Sequence, residues 1–504
     1  MKKFLFRAGT VILCVAVAAV CVLSIGRVFA DKTELTVKID PTVKYQTING
    51  WGASACWWAQ KTDGVAGDET IRLLYSKEGL GLNIYRFNVG AGEKDNPDTK
   101  IENDWRKAES FYVLNEKTGE YEYDFTKDAV SVAAMKKALS YGCVDTVVFF
   151  ANSPHYSMTE SGLASGGEET HQNNLPRENF EAYADYFLTI TEHFINEGVP
   201  VKYISPFNEP QWSWGGDEVW QEGCHYEPEE FTELTKVFLD KIKERGLDVK
   251  LSVPENGCIR DSVKNYAKKY LTALDDVGVI EKIEYSYHSY KGDRQMLTKK
   301  LFGKSMREKY PSLEYSMTEW CELPCQNDTG SITSALIASR VITQDIGLSC
   351  AGSWCAWNGA AQEWIQESGE DYSDGLISVS GDFDSIEIAM RYYALAHFSK
   401  FVPQGSVLIE TKKSPSDIAL RRSNSKLYFG SAVNACSFLT PQGETVCVLT
   451  NEGPERKISL EAQGNKMSVV TTTQSKQLEN TYSGEIKSNI TLPENSITTL
   501  IFCE

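Results

Sequence analysis

The sequence predicts an α/β chain whose main unit is a (β/α)8, or TIM, barrel, followed by a C-terminal antiparallel β-sandwich domain. Three observations carry that expectation. Between about residues 45 and 398, short apolar runs alternate eight times with amphipathic stretches of helical length. The runs are continuous in apolar residues, the pattern of strands buried on both faces of a parallel sheet. After His397 the pattern changes to short strand-like runs broken by Asn, Gly, Ser and Pro, as in a sandwich.

Taken in order, Lys2, Lys3 and Arg7 precede an apolar run over 9–25, and Val28-Phe29-Ala30 offers the small residues that a signal peptidase reads. Residues 1–30 are therefore expected to be a signal peptide, which makes the protein secreted or cell-surface. The run is about 17 residues long, at the short edge of a membrane span, so an uncleaved anchor is the alternative. Residues 31–44 read as a strand that joins the sandwich and ties the two termini together. The barrel is expected over 45–398, with strands in the runs 47–56, 83–89, 146–152, 201–208, 249–253, 283–288, 314–318 and 350–357. A helix over 177–197 carries Phe180, Tyr183, Tyr186, Phe187, Ile190 and Phe194 on one face and stops at Gly198 and Pro200; another, 229–245, stops at Gly246. The sandwich occupies 399–504. A doubly wound open sheet is the competing fold, but no glycine-rich phosphate turn follows the first strand.

The bulk properties exclude several partners. At 504 residues and 42% hydrophobic content, the chain can bury one large core and a smaller satellite. Its formal charge is −18, and loss of the leader's four cations would leave −22. Such a surface repels polyanions, so nucleic acid and anionic membrane are poor partners, whereas a neutral polymer meets no such barrier. Thirteen cysteines include two in the leader, so eleven remain, an odd number. Cys321-x3-Cys325 and Cys350-x4-Cys355 could be disulfides or a zinc site, although no His-x-x-x-His accompanies them; the further expectation is that several are small buried hydrophobes.

In such a barrel the reacting groups stand at the carboxyl ends of the strands. The fourth run ends Tyr203-Ile204-Ser205-Pro206-Phe207-Asn208-Glu209-Pro210, and the seventh ends Tyr315-Ser316-Met317-Thr318-Glu319-Trp320. Carboxyls at the tops of strands four and seven face one another across the mouth. That pairing suits glycoside cleavage by double displacement, where one carboxylic acid protonates the leaving oxygen and one carboxylate attacks the anomeric carbon. Trp354 and Trp357 on strand eight, with Trp57 and Trp58 on strand one, are candidates for stacking on sugar faces, and some are expected to be core filler. His155 and Tyr156, after strand three, are expected to line the same cleft. The long connections 91–124 and 156–176 are read as its walls.

On these motifs the chain resembles glycoside hydrolase family 30, of the clan with catalytic carboxylates on strands four and seven. Asn208-Glu209-Pro210 looks like the acid/base motif, Thr318-Glu319-Trp320 occupies the nucleophile position, and Phe398-Ser399-Lys400-Phe401-Val402-Pro403-Gln404-Gly405 looks like the junction into the sandwich. Gly52-Ala53-Ser54-Ala55-Cys56-Trp57-Trp58-Ala59 is most similar to the endo-β-1,6-galactanase branch. The resemblance implies a retaining β-glycoside hydrolase with Glu209 as acid/base, Glu319 as nucleophile, Arg86 holding the nucleophile ionised and Asn208 on the sugar 2-hydroxyl. Tyr287 and His288 become the nucleophile's aromatic and imidazole neighbours. The partner is then a polysaccharide or oligosaccharide, for a monomer that needs no cofactor and no metal.

Two other classes stay open at this point. One is a carbohydrate-binding barrel without catalysis; the other is a metal-dependent barrel hydrolase. Of the six histidines, at 155, 171, 193, 225, 288 and 397, two fall at strand ends, which is few for a metal centre.

Overall fold

The computed structural model describes residues 34–504 apart from 218, 260–265, 324–327, 363, 366–370 and 424–425, and only the backbone of 266–268, 364–365 and 371–372. The expected signal peptide over 1–30 lies outside the described residues. Eight parallel strands close into a barrel: β1 (Gly50–Ser54), β2 (Ile84–Asn88), β3 (Thr146–Phe150), β4 (Val201–Ser205), β5 (Lys250–Asn256), β6 (Ile283–His288), β7 (Tyr315–Glu319) and β8 (Ser353–Ala356). The apolar runs become strands because helices cover their outer faces while side chains fill the interior; all five residues of β3, Thr-Val-Val-Phe-Phe, are buried. Closure at the seam between β8 and β2 depends on Gly52. A Cβ there would lie 2.7 Å from both Cys355 Sγ and Ile84 Cβ.

The helices follow their punctuation. The one over 177–197 opens with a 3-10 turn, Arg177–Asn179, and continues as Phe180–Asn196, burying the six aromatic and aliphatic residues that marked its face. Pro228–Arg245 begins with Pro in its first turn, a capping box between Glu227 and Glu230, and ends on Gly246 at φ 63°. In the connection 91–124 a hairpin of Tyr112–Asn115 and Glu120–Tyr123 folds back over the barrel side. His155 and Tyr156 sit beneath it: His155 is fully buried among Tyr112, Tyr121, Tyr156 and Tyr186, and Tyr121 donates to Tyr156 Oη.

The strand Leu35–Thr47 pairs antiparallel with Val407–Ser414 and parallel with Arg456–Glu461, at the heart of a nine-stranded sheet. Met467, near one end of that sheet, and Leu492, at the other, share one apolar core with Leu35, Val37, Ile458 and Phe502, so the sheet doubles over as a sandwich. The helix Ile332–Ser349 joins the two units. Ser339 Oγ meets Thr450 Oγ1 at 2.6 Å, Gln344 donates to Asn434, and Arg340 pairs with Glu452. Cys350 and Cys355 are both free and buried, the first donating to the Gly303 carbonyl, so no disulfide joins them, and among the described residues neither falls in a cluster of metal-ligating side chains; Cys325 lies outside the described residues.

Candidate active site

The carboxyl ends of the strands carry two residues in left-handed backbone, Glu209 at φ 45° after β4 and Glu255 at φ 56° in β5. Non-glycine residues hold that conformation only where their surroundings fix it, which is common at functional sites. Here the Glu209 amide donates to the Glu255 carbonyl at 3.1 Å, and the Glu209 carbonyl accepts from Trp212 N and Trp214 Nε1. Gly257 is required beside it, because a Cβ would come within 2.6 Å of Glu209 Oε1.

Three carboxylates and two cations converge there. Glu319, at the end of β7, accepts from Arg86 Nη1 at 2.9 Å and from Tyr290 Oη at 2.7 Å. His288, at the end of β6, has Nδ1 3.0 Å from Glu209 Oε1 and 3.5 Å from Glu319 Oε1, and Nε2 3.0 Å from Glu255 Oε2. Glu255 also faces Arg86 Nη2 at 3.8 Å and accepts from Ser205 and Thr318. Carboxylate oxygens of Glu209 and Glu319 approach within 4.8 Å, with His288 between them. Arg86 is wholly buried and its guanidinium stacks 3.5 Å over Phe150.

Burial governs these charges and the neighbours correct it. Burial opposes the His288 charge, yet Glu319, then Glu209 and Glu255, push the imidazole up to about 10, so it is a cation at neutral pH. Glu255 is wholly buried too, but Arg86, His288 and Thr318 hold it below the ordinary carboxylate value. Glu319 differs from the expectation of a carboxyl simply depressed by Arg86: burial lifts it above the usual value, and His288 and Arg86 moderate that rise without reversing it. Among the described residues Glu209, His288 and Glu319 form the one cluster with metal-ligand proximity.

A cleft of about 440 Å³ opens onto Glu209 and Glu319. Asn208, Gln211, Trp212, Trp214, Trp220 and Gln221 line it from the connection after β4, Tyr290 and Lys291 from that after β6, Trp357 from that after β8 and Arg106 from that after β2. Buried side-chain amide oxygens of Asn208 and Gln211 have no partner among the described residues. Trp212 and Trp220 stand 46% and 52% exposed beside them.

Of the residues expected at the site, Glu209, Glu319, Arg86, Asn208, His288 and Trp357 are brought together. The others are not. Tyr287 turns outward into the core toward Asp345 and Ser349; on one strand it cannot share a face with His288, and Tyr290 takes the place beside Glu319. Trp58 is core, donating to the Ser54 carbonyl, and Trp354 is core, donating to Asp345. Trp57 packs edge-on behind Trp357, with Arg106 above it. His155 and Tyr156 belong to the hairpin's support, and no residue of 156–176 lines the cleft. Sequence reasoning missed Glu255, Tyr290, Trp212, Trp214 and Trp220. Three tryptophans within ten residues of Asn208-Glu209-Pro210, in a connection with no core to fill, are a signal for the last three.

The pattern of O-glycosyl hydrolase family 30 matches residues 34–378. The chain belongs to that family. The family 30 β-sandwich domain matches residues 405–500. Over 238 residues this family 30 chain is 27% identical to an endo-β-1,6-galactanase of Hypocrea rufa, the match covering 43% of the chain and 48% of that protein. Over 241 residues it is 24% identical to an exo-β-1,6-galactobiohydrolase of Bifidobacterium longum subsp. longum, covering 37% of the chain and 16% of that protein. The matched region thus spans about half of one curated relative and a sixth of the other. A conserved exported protein from Bacteroides fragilis has the same fold, with a TM-score of 0.78 at 24% identity over 92% of this chain and 100% of that one.

Proposed function

We propose that this family 30 protein is an exported, retaining β-glycoside hydrolase that cleaves β-1,6-galactan. Glu209 is its acid/base and Glu319 its nucleophile. The observation that carries the reading is the asymmetry of two facing carboxylates. Glu319 is the more enclosed, its side chain 5% exposed, and both its oxygens are held by donors, Arg86 on one and Tyr290 on the other. Glu209 is 14% exposed, opens to the cleft and bears on His288. A fixed anion suits attack on an anomeric carbon, and a group facing the leaving oxygen suits proton transfer. Their oxygens lie nearer than the gap of roughly 6.5–9.5 Å between carboxyl groups that admits a water in inverting enzymes. The unpartnered Asn208 oxygen suits a sugar hydroxyl, and Trp212 and Trp220 suit stacking on a chain that extends beyond the reacting residue.

The galactan assignment is supported by the first-strand motif and by relatives named for β-1,6-galactan. The acidic surface fits a neutral polymer. Export is supported by the leader-like residues 1–30 and the exported neighbour; no helix among the described residues is long and apolar enough to cross a membrane. The test is digestion of de-arabinosylated arabinogalactan followed by proton NMR, beside β-xylan and β-1,6-glucan. Degradation of the galactan with the β anomer formed first is expected. An α anomer formed first would overturn retention, and degradation of xylan or β-glucan alone would overturn the substrate while leaving the chemistry.

A further inference from the structure

We propose that Glu255, the third carboxylate at the barrel mouth, is a positioning residue that holds a shared proton on the His288–Glu209 pair and so sets the upper pH limit of activity. The inference deepens the reading of Glu209 as acid/base and rests on it.

The argument is one of donors and acceptors. An ionised carboxylate only accepts, and a neutral imidazole has one N–H and one lone pair. His288 meets a carboxylate at each ring nitrogen, Glu209 at Nδ1 and Glu255 at Nε2, both at 3.0 Å. With the ring neutral and both acids ionised, one contact would set lone pair against lone pair. One extra proton therefore belongs to the line Glu255–His288–Glu209. It sits on Nδ1, with Glu209 ionised, or on Glu209 Oε1, with the ring neutral; either way Nε2 keeps its proton and donates to Glu255. Transfer along the 3.0 Å contact from Nδ1 to Oε1 supplies the proton that Glu209 gives to the leaving oxygen. When Glu209 later takes a proton from water, it passes back the same way, so the line is restored in each turnover.

Glu255 is built to be that anchor. It is fully buried and ionised, and Arg86 from β2 and His288 from β6 fix its charge, with the Ser205 and Thr318 hydroxyls completing its bonds; Glu284 from β6 and the Cys355 thiol from β8 also face it, and Glu284 opposes that charge. Glu209 and Glu319 lie across His288 from it. Its left-handed backbone also binds the Glu209 amide, so one residue sets both the position of the acid and the charge on its partner.

The experiment compares Glu255→Gln and Glu255→Asp in the full chain, measuring kcat/KM against pH for aryl β-galactosides with good and poor leaving groups. Gln keeps the shape and removes the charge, so the proton is held less tightly. The alkaline limb is expected to move down by at least about one pH unit. The loss at neutral pH is expected to be on the order of tenfold greater for a phenyl than for a dinitrophenyl leaving group, since only the former needs the acid. Asp should return the limb toward its original place even if the rate stays low. A lower rate with both limbs unmoved, equal for the two leaving groups, would overturn the inference and leave Glu255 as packing. If the Gln variant does not fold, nitrogen-15 NMR of labelled histidine in the unaltered protein decides. A His288 ring with Nε2 protonated through pH 8 supports the inference, and an unprotonated Nε2 overturns it. Failure of the underlying assignment looks different: the azide products of Glu209→Ala and Glu319→Ala would have their anomeric configurations interchanged.

Discussion

Two fully buried histidines sit in opposite electrical states. His288, at the barrel mouth, is pushed up to about 10 by three carboxylates; His397, at the seam between barrel and sandwich, is pushed down to about 3 by burial alone. His397 lies between two hydroxyls, Thr499 Oγ1 at 2.7 Å and Thr472 Oγ1 at 2.8 Å, one accepting and one donating to a neutral ring. Both ring nitrogens of His397 thus find neutral partners, which ties the two units together at that point at little electrostatic cost. At the mouth, charges are concentrated where water is scarce, backbone is strained at Glu209 and Glu255, and side-chain oxygens of Asn208 and Gln211 have no partner among the described residues. Such an arrangement makes sense where substrate and a moving proton complete it.

The seam should give the largest stability change. Replacing His397 with Ala leaves a cavity and takes the ring partner from two buried hydroxyls, and is expected to cost about 3–4 kcal/mol at pH 7 by urea denaturation, with kcat of the folded enzyme little altered. The sign with pH follows from the neutral ring. The unfolded imidazole takes a proton near 6.5 and the folded one only near 3, so stability present above pH 6.5 is lost as pH falls toward 3, at up to about 1.4 kcal/mol per unit. His155, also pushed down to about 3, adds a second such group. His397→Gln should lessen that pH slope by one proton, and an unchanged slope would mean the ring is already charged.

A smaller effect is expected inside the barrel. Glu284, on the same strand as His288, is pushed up to about 7, chiefly by burial, against the opposing bonds from Ser316 and Ser252. Its folded value lies above its unfolded one, so its contribution is fullest below about pH 4.5 and is lost as pH rises through 7. Glu284→Gln should therefore stabilise the protein by about 2–3 kcal/mol at pH 9 and by almost nothing at pH 4.5. Equal effects at both would contradict the burial argument.

The smallest effect separates two kinds of tryptophan. Trp212→Ala, in the exposed cleft wall, is expected to raise KM for polymer by about fivefold, roughly 1 kcal/mol of stacking, with melting temperature unchanged. A lowered melting temperature with KM unchanged would make Trp212 packing, as Trp354 is.

That contrast also marks how far the sequence could be read. The eight strands and both facing carboxylates were legible, because continuous apolar runs have countable ends and Glu209 and Glu319 stand on them. Alternation along a strand already excluded Tyr287, since Glu284, Ser286 and His288 face inward and leave Tyr285 and Tyr287 for the helix layer. Trp354 and Trp58, on or beside strands, were natural to pair with sugar, yet residues there are claimed by the core. Glu255 was hidden for a different reason. Pro254 breaks the apolar run at Val253, two residues before the strand delivers its carboxylate.

The roles of the two glutamates are tested most directly by azide. Glu209→Ala and Glu319→Ala are each incubated with a dinitrophenyl β-galactoside and sodium azide, and the anomeric configuration of the glycosyl azide is read by NMR. Double displacement with Glu319 as nucleophile requires β-azide from Glu209→Ala, where azide intercepts the glycosyl-enzyme, and α-azide from Glu319→Ala by a single inversion. The reverse pattern would interchange the two roles, and near-normal hydrolysis of galactan by both variants would contradict the site itself.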